Sequence, residues 1–133
     1  MSTQTEPKRI GDLVLREWDQ RLSRTNGTFR HSSGSTADFT IGHVCVLSGG
    51  KYIPATGTTF SGILLANIND LATATDKTNQ PFLTQGPAVI SKDQLVWDAG
   101  ADASDQTAIL AAMLALGIQV VDEPDSQSSV EDA

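Results

Sequence analysis

The chain is 133 residues long, carries a formal net charge of −7 at pH 7 and is 39% hydrophobic, which suits one domain with a modest core. Its acidic balance disfavours general DNA or RNA binding, because such a surface repels phosphate, and no apolar run approaches the roughly 18–20 residues that span a bilayer. The lone Cys45 excludes an internal disulfide and a cysteine-paired zinc site, and the polar N-terminus lacks the apolar segment of a secretory signal.

The charges divide the chain into three blocks. Residues 1–30 carry six basic and four acidic residues, residues 31–121 carry three lysines and seven aspartates, and residues 122–133 carry five acidic residues and no basic one. We therefore expect a basic N-terminal arm, a mildly acidic body and an acidic tail over 122–133 to have separate roles.

The first part of the chain has no single hydrophobic period. Within residues 10–22 one set of apolar residues fits a helix and another fits a strand, so both remain open. Residues 23–38 are rich in serine, threonine, glycine and asparagine, which is typical of a linker or mobile loop, and His31 is expected to be solvated there. We predict an arm over residues 1–30, which orders against a partner, and a linker over residues 31–38.

Residues 39–121 are predicted to form a β-rich body. Its strand candidates, which are apolar and often β-branched, are residues 39–47, 51–54, 60–68, 82–84, 88–91 and 94–98. Residues 69–81 are polar and are expected to form an exposed loop. Pro87 fits only the start or the edge of a strand, because proline donates no ladder hydrogen bond.

One helix is predicted near the end of the body, over residues 105–116. Ser104 or Asp102 is expected to cap its start, and Gly117 to stop it. Four apolar residues fall on one stripe of this helix: Ile109, Leu110, Met113 and Leu114. A last short strand follows at residues 118–121, and the acidic tail is expected to be disordered. The predicted fold class is mainly β with one amphipathic α-helix.

No constellation of residues indicates catalysis. His43 and Cys45 point to the same side of a strand, yet no catalytic motif surrounds them, and a free cysteine is commonly a small buried residue. Asp98, Asp102 and Asp105 lack the further ligands of a calcium loop, so we interpret them as helix capping and loop solvation. The sequence therefore predicts no catalytic, metal or cofactor site.

Several segments, taken in order, resemble one protein family. They are residues 5–24 with Ser23-Arg24 at the end, IGHVCVLSGGKYIP at 41–54, SGILLANI at 61–68, GPAVIS at 86–91, the strand at 95–97 and LGIQVV at 116–121. Their order and spacing resemble those of the phage head decoration proteins. The resemblance implies a small β-clip-like domain with an extended N-terminal arm, which forms a homotrimer. It also implies a place on the outer surface of a tailed-phage capsid, where such proteins hold the expanded head together against the pressure of packaged DNA.

The resemblance also implies that the arm contacts the major capsid protein. The expected capsid-binding residues are Arg9, Ile10, Leu13, Val14, Leu15, Arg16, Trp18, Arg21 and Arg24. The candidates for the trimer interface are Trp97, Met113 and Leu114. The acidic tail, His43, Cys45 and the low apolar content of residues 25–38 depart from the family pattern.

Two other classes of protein remain as alternatives. A β-clip domain that binds a sugar or another small ligand predicts a polar pocket. A small hydrolase that uses His43 and Cys45 predicts a reactive Cys45 thiol.

Overall fold

Ten strands and three helices lie in the residues that this computed structural model describes, which are 9–32 and 34–121. The helices are α1 (Ile10–Leu13), α2 (Gln20–Ser23) and α3 (Ala103–Ala115), with a 3-10 turn at Lys92–Gln94. The strands are β1 (Val14–Glu17), β2 (Arg24–Arg30), β3 (Ala37–Phe39), β4 (Val44–Ser48), β5 (Lys51–Pro54), β6 (Gly62–Leu64), β7 (Ile68–Leu71), β8 (Asp76–Leu83), β9 (Ala88–Ser91) and β10 (Ile118–Val121). The predicted tail and the first eight residues of the predicted arm lie outside the described residues.

The fold class predicted from the sequence is confirmed. Strands dominate, and α3 is the one helix longer than a single turn in the described part of the chain, because α1 and α2 have four residues each. The β-clip-like arrangement stays a prediction.

Helix α3 begins and ends close to the predicted residues because the residues that cap its start and stop its end are local in sequence. The Asp102 side chain accepts a hydrogen bond from the backbone N–H of Asp105, and the Asp105 side chain accepts one from the backbone N–H of Asp102. Together they form a capping box, so the cap is Asp102 and not Ser104. Gly117 follows the helix with a φ of +88°, a left-handed conformation that glycine adopts at little cost.

Strands β2, β5, β4, β6 and β8 close a barrel in that order. β2 runs antiparallel to β8 along most of its length and parallel to β5 where Phe29 pairs with Tyr52. Phe29 is fully buried, and the rings of Tyr52 and Phe82 stack with their centroids 4.0 Å apart. One of the two buried clusters among the described residues is therefore half aromatic, and it packs the barrel against β3 and β7.

The loop predicted at residues 23–38 is wrong for residues 24–30, which form β2. Gly27 leaves room for the neighbouring Tyr52 ring, since a Cβ at this position would lie 2.7 Å from a ring carbon. A polar strand with one buried aromatic side chain has the composition of a loop. Its place in the barrel depends on strands that are distant in sequence.

Two more predictions of local structure are corrected. Residues 69–81, expected to be an exposed loop, contribute most of β7 and β8, although every side chain from Ala72 to Asn79 is exposed. The strand expected at residues 94–98 is reduced to a single bridge between Val96 and His43.

The second sheet joins the N-terminal segment to the end of the chain. Its order is β1-β9-β10, with β1 antiparallel and β10 parallel to β9, and β3 pairs separately with β7. Leu13 is fully buried with Ile109 and Met113 in the core between this sheet, α3 and the barrel. The structure thus places residues 10–30 in the folded body, and no extended arm is observed in this range.

Candidate functional site

The His43–Cys45 pair lies in the core. Cys45 is fully buried, and its thiol donates a hydrogen bond of 3.3 Å to the backbone carbonyl of His43. Burial raises the pKa of the Cys45 thiol far above its ordinary value, which disfavours the thiolate that a nucleophile requires. This geometry opposes the hydrolase alternative.

The aspartates singled out in the sequence serve local structure. Asp102 and Asp105 form the α3 cap, and a carboxylate oxygen of Asp98 accepts a hydrogen bond of 2.9 Å from the backbone N–H of Gly100. Residues 9–32 and 34–121 contain no group of three or more histidine, cysteine, aspartate or glutamate side chains that could hold a metal ion. In the same residues, no helix has the length and apolar character needed to cross a membrane.

His31, which was expected to be solvated, is buried. Its ring lies edge-on to Phe39 with centroids 4.9 Å apart, and its Nε2 lies 2.7 Å from the carbonyl oxygen of Ser35. The Thr73 hydroxyl donates a hydrogen bond to the carbonyl of Gly34. The connection between β2 and β3 is therefore attached to the body at His31 and Gly34, while its described residues other than His31 are exposed.

Part of the predicted capsid-binding set forms an exposed surface at the end of β1. We call it the Trp18 surface, and it consists of Leu15, Arg16 and Trp18, which line one shallow pocket together with Glu17. Trp18 is 61% exposed, and the Arg16 guanidinium lies over its ring, 5.7 Å from the centroid. The backbone N–H of Trp18 donates a hydrogen bond of 3.3 Å to the backbone carbonyl of Pro87, which fixes the surface to the body. An exposed tryptophan beside an arginine has the composition of an interface anchor.

The other predicted capsid-binding residues are placed differently. Leu13 is fully buried, so it would reach a partner only if the core opened, and its role as a capsid contact stays a prediction. Ile10 and Val14 are half-buried and pack against the same core. Arg9 and Arg21 are exposed, and Arg21 lies 3.8 Å from a carboxylate oxygen of Asp19.

Arg24, the last residue of the predicted set, is half-buried and paired with Glu17. Its guanidinium donates to both carboxylate oxygens at distances from 2.7 to 3.2 Å, and the Ser23 hydroxyl donates to the same carboxylate. Burial alone would raise the pKa of the Glu17 carboxyl, but the hydrogen bonds from Arg24 and Ser23 and the charge of Arg24 outweigh it. The pKa of Glu17 therefore lies below its ordinary value. This pair joins β1 to β2, and no sequence pattern indicated it.

Replacing Glu17 with glutamine is expected to lower the free energy of unfolding by about 1–2 kcal/mol at pH 7. The folded pKa of Glu17 lies below the unfolded value of about 4.3, so the carboxylate contributes its full stability above about pH 5 and loses it as the pH falls through the lowered pKa. Urea unfolding of the wild type and Glu17→Gln should thus show a larger difference in stability at pH 7 than at pH 3. Asp93→Asn, which alters an exposed acid, serves as the control, and a gap that is the same at both pH values would contradict the role of the pair.

The structure separates the three candidates for the trimer interface. Met113 is fully buried on the inner side of α3 with Ile109, so it packs within this chain, and its role at the trimer interface stays a prediction. Trp97 is half-buried and packs against the same core. Leu114 is 65% exposed, because it lies one residue further along the helix and so on another side.

A groove of about 460 Å³ lies between α3 and β10. We call it the α3–β10 groove, and its lining residues are Lys92, Leu110, Ala111, Leu114, Gln119 and Val120. Leu116, just beyond the helix, is 43% exposed. Of these residues only Leu114 was predicted to form an interface, although the absence of any charge from Gln106 to Val121 is a sequence signal that points to the others.

Comparison with known proteins confirms the family resemblance, which covers nearly the whole folded body. No curated protein matches the chain. The family model described as bacteriophage lambda head decoration protein D matches residues 3–118, which include the Trp18 surface, the barrel and α3. That family consists of structural proteins of the phage capsid and is not a family of enzymes. With far more than half of its length matched in this way, the chain belongs to the bacteriophage lambda head decoration protein D family.

Proposed function

We propose that this protein binds as a homotrimer to the outer surface of an expanded tailed-phage head and reinforces it against the pressure of packaged DNA. The observation that carries the proposal is the family match over residues 3–118. The net charge of −7 supports a place outside the shell, because an acidic protein gains nothing from contact with the DNA inside.

The Trp18 surface is the part of the described chain best suited to contact the major capsid protein. Trp18 offers a large apolar side chain at little entropic cost, because it has only two side-chain torsions, and the bond to Pro87 holds its backbone in place. Arg16 beside it, with Arg9 and Arg21 exposed nearby in the sequence, supplies positive charge for carboxylates on the capsid. A partner with an apolar pocket and an acidic rim fits this surface.

Strand β1 offers the capsid a second kind of contact. It is an outer strand of its sheet and pairs with β9 on one side in the part of the chain that the structure describes. A capsid strand that adds to the open side would satisfy the backbone groups of β1. Trp18 follows directly after this strand, so strand addition and insertion of the side chain reinforce each other.

Three copies in one trimer would multiply a weak contact. Once one copy is bound, the others are held near their sites, and avidity then adds a factor of about 10²–10⁴ without any new contact. A small surface on each copy is therefore sufficient for tight binding of the trimer.

Co-sedimentation with phage heads tests the proposal. Purified protein should sediment with expanded heads and remain in the supernatant with unexpanded ones, at a ratio of three copies for each site. Its mass on the head, determined after chemical cross-linking, should be that of a trimer. Equal binding to both head forms, or no binding to either, would contradict the proposed function.

A further inference from the structure

From Gln106 to its end, α3 carries no charge. Its exposed positions in the second half of the helix and just after it are Ala111, Leu114, Ala115 and Leu116. No charged residue occurs from Gln106 to Val121. The inner side of the helix already packs in the core through Ile109 and Met113. A helix that is apolar on both sides is normally buried on both sides, so the outer side is expected to meet a partner.

The α3–β10 groove continues this uncharged surface. Leu110, Leu114 and Val120 make its lining mainly apolar, and among the described lining residues only Lys92 is charged. β10 is an outer strand, bonded to β9 on one side in residues 9–32 and 34–121. The groove, the helix and the strand edge thus form one continuous area that a partner would cover.

The charge of the whole chain indicates what this partner is. Copies that each carry −7 repel one another wherever their acidic surfaces meet. In a cyclic trimer, residues beside the three-fold axis meet their own equivalents, so a charge at that place faces two like charges. An uncharged surface avoids this cost, whereas the Trp18 surface, with Arg16 at its centre, does not.

We propose that a second copy of this chain covers the α3–β10 groove, with Leu114 and Leu116 of the three copies beside the three-fold axis. The inference rests on the proposed homotrimer and assigns the surface that forms it. Among the interface candidates it retains Leu114, and it leaves Trp97 and Met113 as residues of the body. The Trp18 surface then stays free for the capsid.

Cysteine cross-linking of full-length protein tests the assignment. The native Cys45 is fully buried, so wild-type protein provides a blank for a bifunctional maleimide. With the bifunctional reagent Leu114→Cys should give cross-linked dimers, in solution at high concentration or on expanded heads, and a trifunctional maleimide should join three copies. Leu47→Cys is the matched control, because Leu47 is 50% exposed on β4, away from α3, and should give none. If Leu114→Cys cross-links no more than Leu47→Cys in solution and also no more on expanded heads, the inference is overturned.

A charge at the same position gives an independent measurement. Leu114→Glu should weaken self-association about tenfold or more, since each trimer would then hold three like charges in an apolar contact. Leu47→Glu should leave self-association unchanged, and circular dichroism would verify that both variants are folded.

Head sedimentation on the same samples separates this inference from the proposed function. Failure to bind heads counts against the function alone, whereas binding without Leu114 cross-links counts against the interface alone. Loss of head binding in Leu114→Glu without cross-links in Leu114→Cys would overturn the inference in favour of a capsid contact.

Discussion

Replacing Gly86 with alanine is expected to destabilise the protein by about 3 kcal/mol or more, which is above the usual cost of overpacking. A Cβ built on Gly86 would overlap the backbone carbonyl of Gly117. The obstacle is backbone, so it cannot turn aside as the end of a long side chain does. Relief requires that the start of β9 move away from the end of α3.

That movement would also break hydrogen bonds. The Gly86 N–H donates to the carbonyl of Leu116 at 2.8 Å, and the Ala88 N–H donates to the carbonyl of Gly117 at 3.2 Å. These bonds join the two segments that carry β9 and β10, the middle and outer strands of their sheet. The destabilisation therefore combines a steric overlap with the loss of bonds to buried or half-buried groups.

Thermal and urea unfolding would measure the effect, and a fall in Tm of roughly 10 °C corresponds to the expected loss. Gly57→Ala is the matched control, because a Cβ at Gly57 meets no atom within 4 Å and its φ lies outside the left-handed region. It should change stability by no more than about 0.5 kcal/mol. If Gly86→Ala and Gly57→Ala are equally stable, the backbone segments at Gly86 and Gly117 do not approach each other as closely as described.

Replacing Trp18 with alanine is expected to weaken binding to expanded heads by about 30-fold for each copy, the typical loss for a tryptophan at the centre of an interface. The loss for a whole trimer should be larger, since each of its copies contributes to avidity. The fold should be unaffected because Trp18 is 61% exposed. A sedimentation assay at several protein concentrations would measure the shift in half-saturation.

Leu47→Ala provides the control for this variant. Leu47 is a large exposed apolar residue on β4, far in sequence from β1, and its removal should leave head binding unchanged. Half-saturation of Trp18→Ala at the wild-type concentration would exclude the Trp18 surface as a capsid contact. Deletion of residues 1–24 is not a clean alternative, because it would remove β1 and the fully buried Leu13 together with the surface.

Family membership and fold class followed from the sequence because both depend on features that short segments carry. The capping residue Asp102, the stop at Gly117 and the run of helix formers between them act within a few residues of one another. The same holds for β9 directly after Pro87 and for the strand at 118–121. Such signals can be recognised in the sequence without knowledge of the rest of the chain.

Only the tertiary structure decided how the N-terminal segment is used. Residues 24–30 have the composition of a linker, yet they close the barrel because Phe29 meets Tyr52 and because Gly27 makes room for that ring. Leu13 and Leu15 are two residues apart in a stretch without a clear period, and the packing of α1 and β1 on β9 buries one and leaves the other half-exposed. In the same way Met113 lies inside and Leu114 outside on one helix. Burial depends on partners that are distant in sequence, and a local pattern specifies it only where that pattern is regular.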